Sequence, residues 1–552
     1  MSMTRRQFAV AAAAGALESC APPIVTSACA LRPATECPAS PPLPIAKGWA
    51  RCELYSYNEM QHETPWIYRP ECEAELAAAL RALKPGQQVT FRGGGQSLDQ
   101  QSLNAKLVIA LDAPGFSHIG EPQSDADGYF LTTGAGARWW DVICKLGKRG
   151  LFPPSLVTAA DATVGGTLSA DCVSRMSAVY GKEGRQIRSF RIMLADGSVQ
   201  TCNRGDSGGC AELFNAVIGG FGYLGAVIEV TFDLVAVRSR PSFEGHYPQV
   251  FTRSTRHAAN VDWHQILSDL QAKSLRERQR VRAGNPARVD DEAHPVGNGD
   301  NPVWSALSIA SYMCGEGMTA NLLEQRFVEG QALRPTPGDV YNVDPKITVT
   351  AAHLSAWWPT LVELASDIGF PSGEFVDELF GWAFFFGNWA TRAKEQAHSG
   401  GERLNYTQHT FALPARIDDQ PDTRPARRFI EALQARLHGA DIRPPSIDFL
   451  YVPADRFLMS ASRDLEAYLI TISLAAQGRK DYAPEVREML CGLARDCRAL
   501  GGRVHLVKSV VADPEDLRAM YGEAALAFKK LKLRYDPHGY FKNAFFERVF
   551  EA

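Results

Sequence analysis

The chain lacks an excess of basic residues: 58 Lys and Arg stand against 62 Asp and Glu, for a formal net charge of −4. That balance excludes a general nucleic-acid binder, whose electrostatic footprint is a positive surface. The twelve cysteines include no CxxC pair and no metal-like spacing, so no metal site is expected. No internal repeat runs through the sequence, which sets aside solenoids and propellers. The apolar run near the start, Phe8 to Leu17, is too short to span a bilayer as a helix, and no transmembrane helix is expected after it. What remains is the composition of a globular protein, 45% hydrophobic and 22% charged. Its 552 residues exceed the roughly 250 to 300 that one hydrophobic core organises, so two domains are expected.

The first thirty residues form a separate object. MSMTRRQFAVAAAAGALESC places Arg5 and Arg6 ahead of the apolar run, with Phe8 two residues on, and resembles a twin-arginine (Tat) signal for export of folded proteins. Residues 1–30 are therefore read as a signal peptide of a bacterial, periplasmic or otherwise extracytoplasmic protein, with an ordinary flexible N-terminus as the alternative. Ala28–Cys29–Ala30 offers a cleavage site, and Cys20 offers an alternative as a lipid anchor. Residues 31–46, LRPATECPASPPLPIA, read as a proline-rich linker. Cys202 and Cys210 bracket the polar loop NRGDSGG and are the candidate disulfide, with two unrelated thiols as the alternative.

Beyond the linker, Leu76, Leu80 and Leu83 recur at helical spacing before Pro85–Gly86, which predicts an amphipathic helix with a firm stop. QQVTFRGGG then reads as a strand running into a glycine loop. KLVIALD and YFLTTGAGA read as strands, WWDVICKLGKRG as a helix, FRIMLADGSVQTC as a hairpin turning at Asp196–Gly197, and AVIEVTFDLVAV as a long apolar strand. After about Arg238 the texture changes. The stretch 283–302 reads as an exposed loop, AWWPTLVELASDIGF and GWAFFFGNW as aromatic core or a bulky apolar pocket, and LNYTQHTFALP and EAYLITISLAA as strands.

TFRGGGQSLDQQ, residues 90 to 101, carries the first chemical signal. Three glycines let backbone N–H groups approach an anion, as a pyrophosphate requires. The loop fits neither GxxxxGK[ST] nor GxGxxG, so on its own it is also readable as a tight turn. A second glycine-containing loop follows in PPSLVTAADATVGGTLSADC, and GGFGYLGAVIEV comes later still.

These motifs in this order, over residues 48 to 237, resemble the FAD-binding domain of the vanillyl-alcohol oxidase and p-cresol methylhydroxylase (PCMH) superfamily. The resemblance implies an α+β fold. It has a two-subdomain PCMH-type FAD-binding domain over 47–237, a substrate or cap domain with an antiparallel sheet over 238–500, and a segment 501–552 that returns to the FAD domain. It implies FAD as cofactor. Arg92, Gly93, Gly94, Gly95, Gln96 and Ser97 would form the first pyrophosphate loop, and Asp161, Thr163, Val164, Gly165 and Gly166 the second. Ala170, Asp171, Cys172 and Val173 would run along the flavin, with Gly222 and Val227 at the adenine end. Relatives that bond the flavin covalently carry a histidine where Gln96 stands, and some a cysteine where Asp161 stands, so here the FAD is expected to be held non-covalently.

GGRVHLVKSV, LRAMYGEAALAF and YDPHGYFKNAFFERVF resemble the end of the decaprenylphosphoryl-ribose oxidase branch, related to sugar-alcohol oxidases. There a tyrosine and a lysine touch flavin and substrate; the matching residues are His505 and Lys508. The resemblance implies that Lys508 stabilises charge developing on the flavin and that His505 is the candidate base. QHTFALP matches that branch's substrate-facing strand, where period-two geometry puts Gln408 and Thr410 on one face as substrate contacts and His409 on the other. The branch's flavin-side histidine is Val173 here, so a lipid-linked ribose does not transfer. The expected function is oxidation of a small-molecule CH–OH donor, with oxygen or another electron acceptor. A dehydrogenase of an amine or activated CH, similar to cytokinin dehydrogenase, and a non-catalytic flavin-binding protein are the alternatives.

Overall fold

The computed structural model describes residues 48–147, 151–157, 161–236, 249–257, 261–283, 305–311, 320–328, 406–442, 446–475 and 482–551, with 159, 313–314, 317–318 and 444. The leader, the proline-rich linker, the polar stretch after Ala283 and both aromatic segments lie outside the described residues.

The helix of the first leucines, α1 (Glu73–Arg81), buries Leu76 and Leu80 and ends one turn ahead of Pro85. Leu83 is buried beyond its end, so the apolar period outruns the helix. The helix covers one parallel layer, in which the strand Val89–Arg92 pairs in register with Leu107–Ala110 and that strand with Trp66–Tyr68. A second layer is an antiparallel sheet of five strands, in which Ile187–Met193 pairs with Val199–Asn203 through the turn at Gly197, where φ is +74°. The long apolar strand Ala226–Asp233 lies between Ile187–Met193 and Gly128–Gly134. Two unlike sheets, one parallel but for its antiparallel edge strand Ala50–Arg51 and one antiparallel, thus supply the two halves of one domain. The α+β class holds.

Apart from short two-stranded pairs, the remaining described strands build one antiparallel sheet of seven. Its middle consists of β1 (Ser305–Ser311), β2 (Tyr406–Pro414), β3 (Ser446–Val452) and β4 (Ala467–Ala475), in the order β1, β3, β4, β2, with the short β5 (Arg503–Val504) at the edge. Register decides what each face carries, because directly paired residues share a face. Phe411, Ile447, Phe449, Ile470 and Ile472 point into the main core with Phe429, Leu433, Leu490 and Leu493 from the helices Arg424–Gly439 and Pro484–Ala499. The opposite face carries Gln408 paired with Ser473, then Thr410 paired with Thr471 and Asp448 paired with the same threonine. Its next row is apolar again, Ala412, Leu469 and Leu450, and Val173 packs on that row.

The chain's end lies on the first domain. Val89 N–H donates to the Tyr540 carbonyl at 2.8 Å, and the Asn543 amide nitrogen donates to the carbonyls of Gln100, Gln101 and Leu103. Buried Lys532 adds bonds to the Tyr223 and Phe541 carbonyls and pairs with Asp536 at 2.7 Å.

The candidate disulfide is not formed. Cys202, fully buried on its strand, and Cys210, in the first turn of the helix Gly208–Val217, are both free thiols. Burial pushes the Cys202 thiol up to about 12, and the Gln200 amide donates to Cys210 Sγ at 3.1 Å. The bracketing pattern in the sequence marked two ends of one short loop, and those ends meet as thiols.

Candidate functional site

The two glycine loops fold onto one another. A Cβ at Gly93 would collide with the Thr163 hydroxyl, and one at Gly94 with the Asp161 carbonyl, so only bare backbone allows the approach. Gly95 adopts φ +70°, a left-handed conformation that turns the chain toward Gln96. Thr163 caps the helix Val164–Ala170 by accepting from Gly166 N–H at 3.3 Å. Between the loops opens a cleft enclosing about 1310 Å³ of space, its mouth included.

Of the residues expected from the sequence, Arg92 to Ser97, Thr163, Gly165, Gly166, Ala170, Cys172, Val173, Gly222, Val227 and Lys508 line this cleft. Asp161, Val164, Asp171, His505, Gln408 and Thr410 are not among its lining residues. The physical reasons differ. Val164 is buried in the core at the start of its helix, Asp161 turns its carboxylate to Arg138 at 3.6 Å, and Asp171 turns toward Lys182. Arg92 lines the cleft, yet its guanidinium donates to the Tyr55 carbonyl and the Ser102 hydroxyl, tying the loop's flanks together.

Gln101, Ser102, Thr167, Ser169, Phe221 and Val507 also line the cleft and were not expected. Ser169 was accessible to reasoning, because a period of 3.6 from Gly166 selects 169 and 170. Gln101 and Ser102 belong to a 3₁₀ turn whose Asp99 cap brings the chain back to the cleft, which no spacing rule announces.

Lys508 stands at one end of the cleft with its ammonium donating to Gln408 Oε1 at 2.8 Å. Burial lowers its pKa, opposed by the nearby Cys172 and Asp448. Gln408 in turn donates to Ser473 Oγ at 3.2 Å, and Thr410 and Thr471 share a hydroxyl bond of 2.8 Å. Asp448 sits in the same row, raised by burial and eased by Arg175, whose guanidinium is 3.8 Å away, and by Lys508. Polar side chains from three strands thus surround the lysine. His409, on the other face, is buried against Tyr482, and burial holds its imidazole down at about 4. His505 bonds Thr410 through its backbone N–H, and its Nε2 has no partner among the described residues. Burial, then the charges of Lys182 and Lys508, keep that imidazole neutral far below the usual histidine range.

Behind Ala170 to Val173 lies a fully buried ion cluster. Lys182 contacts Asp171, lies 3.1 Å from Asp455 and donates to Ser460 Oγ at 2.5 Å. Burial would push the lysine down, but Asp171 and Asp455 overcome it and hold the ammonium. One carboxylate is enough to balance one ammonium, so burial raises Asp171. Asp455, although equally desolvated, is held low by Lys182 and by the Ser462 and Ser460 hydroxyls.

The residues present suit FAD. Gln96 donates Nε2 to the Gly94 carbonyl and leaves Oε1 buried with no partner among the described residues, an acceptor at the cleft wall. The glycine loops bring bare backbone to the cleft wall, and Phe91, Phe221 and Val227 add apolar side chains to its lining.

Comparison with known proteins agrees. A family model described as an FAD binding domain matches residues 65–203, and one described as D-arabinono-1,4-lactone oxidase matches residues 427–549. The chain is similar to cytokinin dehydrogenase 1 of Oryza sativa subsp. japonica, 27% identical over 259 residues, covering 46% of this chain and 42% of that protein. An uncharacterized oxidoreductase in the fasciation locus of Rhodococcoides fascians is 29% identical over 180 residues, 32% of this chain and 39% of its own length. Cytokinin dehydrogenase 8 of Oryza sativa subsp. indica is 30% identical over 183 residues, 30% and 34% of the two lengths. The chain therefore spans less than half the length of these curated relatives.

Proposed function

With an FAD-binding domain of the PCMH type and FAD as its cofactor, this chain is, we propose, an oxidoreductase acting on a hydroxyl-bearing CH–OH donor. FAD, when bound, supplies the hydride-accepting chemistry. The chain holds it by the Arg92–Ser97 and Thr163–Gly166 loops and sets Lys508 at the end of the cleft where the polar sheet face begins. There the lysine's charge favours the negative charge that arises on the cofactor as hydride arrives.

One observation carries the choice of donor. The sheet face around Lys508 presents Gln408, Ser473, Thr410, Thr471 and Asp448, a surface of hydroxyls, an amide and a carboxylate. These groups are paired with one another in the structure, Gln408 with Ser473 and Thr410 with Thr471, and such polar pairs can exchange partners with a donor's hydroxyl groups. The D-arabinono-1,4-lactone oxidase match over 427–549, which includes β3 and β4, supports a sugar-derived donor. A base is best sought in Asp448, whose burial-raised pKa makes its carboxylate a stronger base than an ordinary one, because burial pushes His505 far below its usual range and so strips its imidazole of basicity.

The second reading, oxidation of an amine, rests on the cytokinin dehydrogenases among the relatives. A panel of polyols, aldonolactones and secondary amines mixed anaerobically with the yellow protein separates the two. Bleaching by a polyol or sugar derivative is expected, and bleaching by an amine alone would replace the donor class.

Gln96 and Asp161 supply no imidazole or thiol for a covalent link, so the FAD is held by contacts alone. Acid precipitation should leave all the yellow colour in the supernatant. Colour retained by the washed pellet would show a covalent bond formed by another residue. Export through the twin-arginine route, with an extracytoplasmic site of action, is proposed from Arg5, Arg6 and Phe8. Among the described residues, no helix is long and apolar enough to cross a membrane.

A further inference from the structure

We infer that Gln101 is the positioning residue that sets Lys508 in place, an inference that rests on the reading of Lys508 given above. Residues 505–509 are not part of a strand, and the peptide N–H of Lys508 reaches the His505 carbonyl only at 3.5 Å. The segment's carbonyls must therefore find donors elsewhere. The carboxamide of Gln101 provides them: its Nε2 donates to the Leu506 carbonyl at 3.0 Å and to the Lys508 carbonyl at 3.1 Å. Both protons of one amide are thus spent on the carbonyls of the two residues that flank Val507.

The amide is itself held. Its Oε1 accepts from the Asp99 N–H at 2.9 Å, and the main-chain carbonyl of Gln101 accepts from Asn543 at 3.2 Å. Gln101 is only 5% exposed, so water cannot replace it cheaply. It sits on the turn that continues the Arg92–Ser97 loop. The same side chain therefore registers the cofactor loop against the lysine, with Gln408 fixing the ammonium from the cap sheet. A glutamine here does what a hydrophobe of equal volume could not, since only a double donor meets two carbonyls.

A double-mutant cycle with Lys508→Ala tests this, using the FAD-loaded protein and two readouts, the rate of flavin reduction by its donor and the midpoint potential of the bound flavin. Gln101→Met keeps the length and removes both donors. It is expected to slow reduction on the order of ten- to hundredfold, the scale on which misplacing a reacting group acts. The potential should move in the same direction as in Lys508→Ala. In the Lys508→Ala background, Gln101→Met should change neither readout further, because there is no ammonium left to misplace. Additive slowing in that background, or an unshifted potential in the single variant, overturns the inference while Lys508 keeps its role. A Lys508→Ala protein with normal rate and potential overturns both. If Gln101→Met fails to retain FAD, Gln101→Asn takes its place in the same cycle, and the same outcomes decide.

Discussion

Replacing Lys508 by alanine is expected to slow reduction of the bound FAD, at saturating donor, by about a hundredfold, the scale of losing one well-placed charge in a water-poor site. The lysine lines the cleft from the C-terminal segment, half-buried, with its ammonium on Gln408 of the antiparallel sheet at 2.8 Å. A charge so placed acts mainly on the state in which negative charge has arrived on the cofactor, so it affects the rate more than cofactor binding. FAD occupancy should survive the change, since the glycine loops are untouched. Lys508→Arg keeps the charge without the compact geometry and should recover only part of the rate. Burial also sets the pH dependence. Because the lysine's pKa is lowered, the rate its charge supplies is present at low pH and lost as pH rises through that lowered value, earlier than for an exposed lysine. Stopped-flow absorbance in the visible flavin band measures all three. A normal rate in the alanine variant would take Lys508 out of the chemistry.

Lys182→Met is expected to be the most damaging change to stability, costing about 3 to 5 kcal/mol, the range for breaking a buried ion pair from one side. Methionine fills much of the same space, yet Asp171 and Asp455 are left facing each other, both almost fully buried. The loss should depend on pH with a definite sign. Without the ammonium, both carboxyls have folded pKa values raised above their unfolded ones, so the folded state prefers to stay protonated while the unfolded chain ionises. The variant therefore loses stability as pH rises from the ordinary carboxylate range and regains it on acidification. The midpoint of urea unfolding at two pH values reads this directly. A midpoint equal to the parent at neutral pH would show that the cluster contributes nothing. Because Asp171 lies between the lining residues Ala170 and Cys172, the variant should also hold FAD more weakly.

The contrast between these two lysines shows what the sequence makes legible. Lys508 sits in a local string, HLVK, so resemblance to a family could place it. Lys182 carries no such signal, because its serine partner lies 278 residues away and only folding brings the two together. The glycine loops were readable because close backbone approach restricts which residues fit, and Gly93 and Gly94 meet that restriction against Thr163 and Asp161. Motif reading named Val164 and Asp171 along with their neighbours, but only folding shows that their side chains turn to the core and to Lys182. Strand alternation separated Gln408 and Thr410 from His409 correctly, but the polar row that extends them, Thr471 and Asp448, depends on register between distant strands. His505 was chosen by residue type, and type says nothing about the burial that suppresses its basicity.

The structure of the FAD-loaded protein tests the central claim most directly. The account predicts the pyrophosphate between the Gly93–Gly95 and Thr163–Gly166 loops, the adenine toward Phe221 and Val227, and the flavin ring beside Cys172, Val173 and Lys508. Its substrate side should open on Gln408, Thr410 and Asp448. FAD lying the other way round, with the flavin ring at Phe221 and Lys508 beside the adenine, would contradict it.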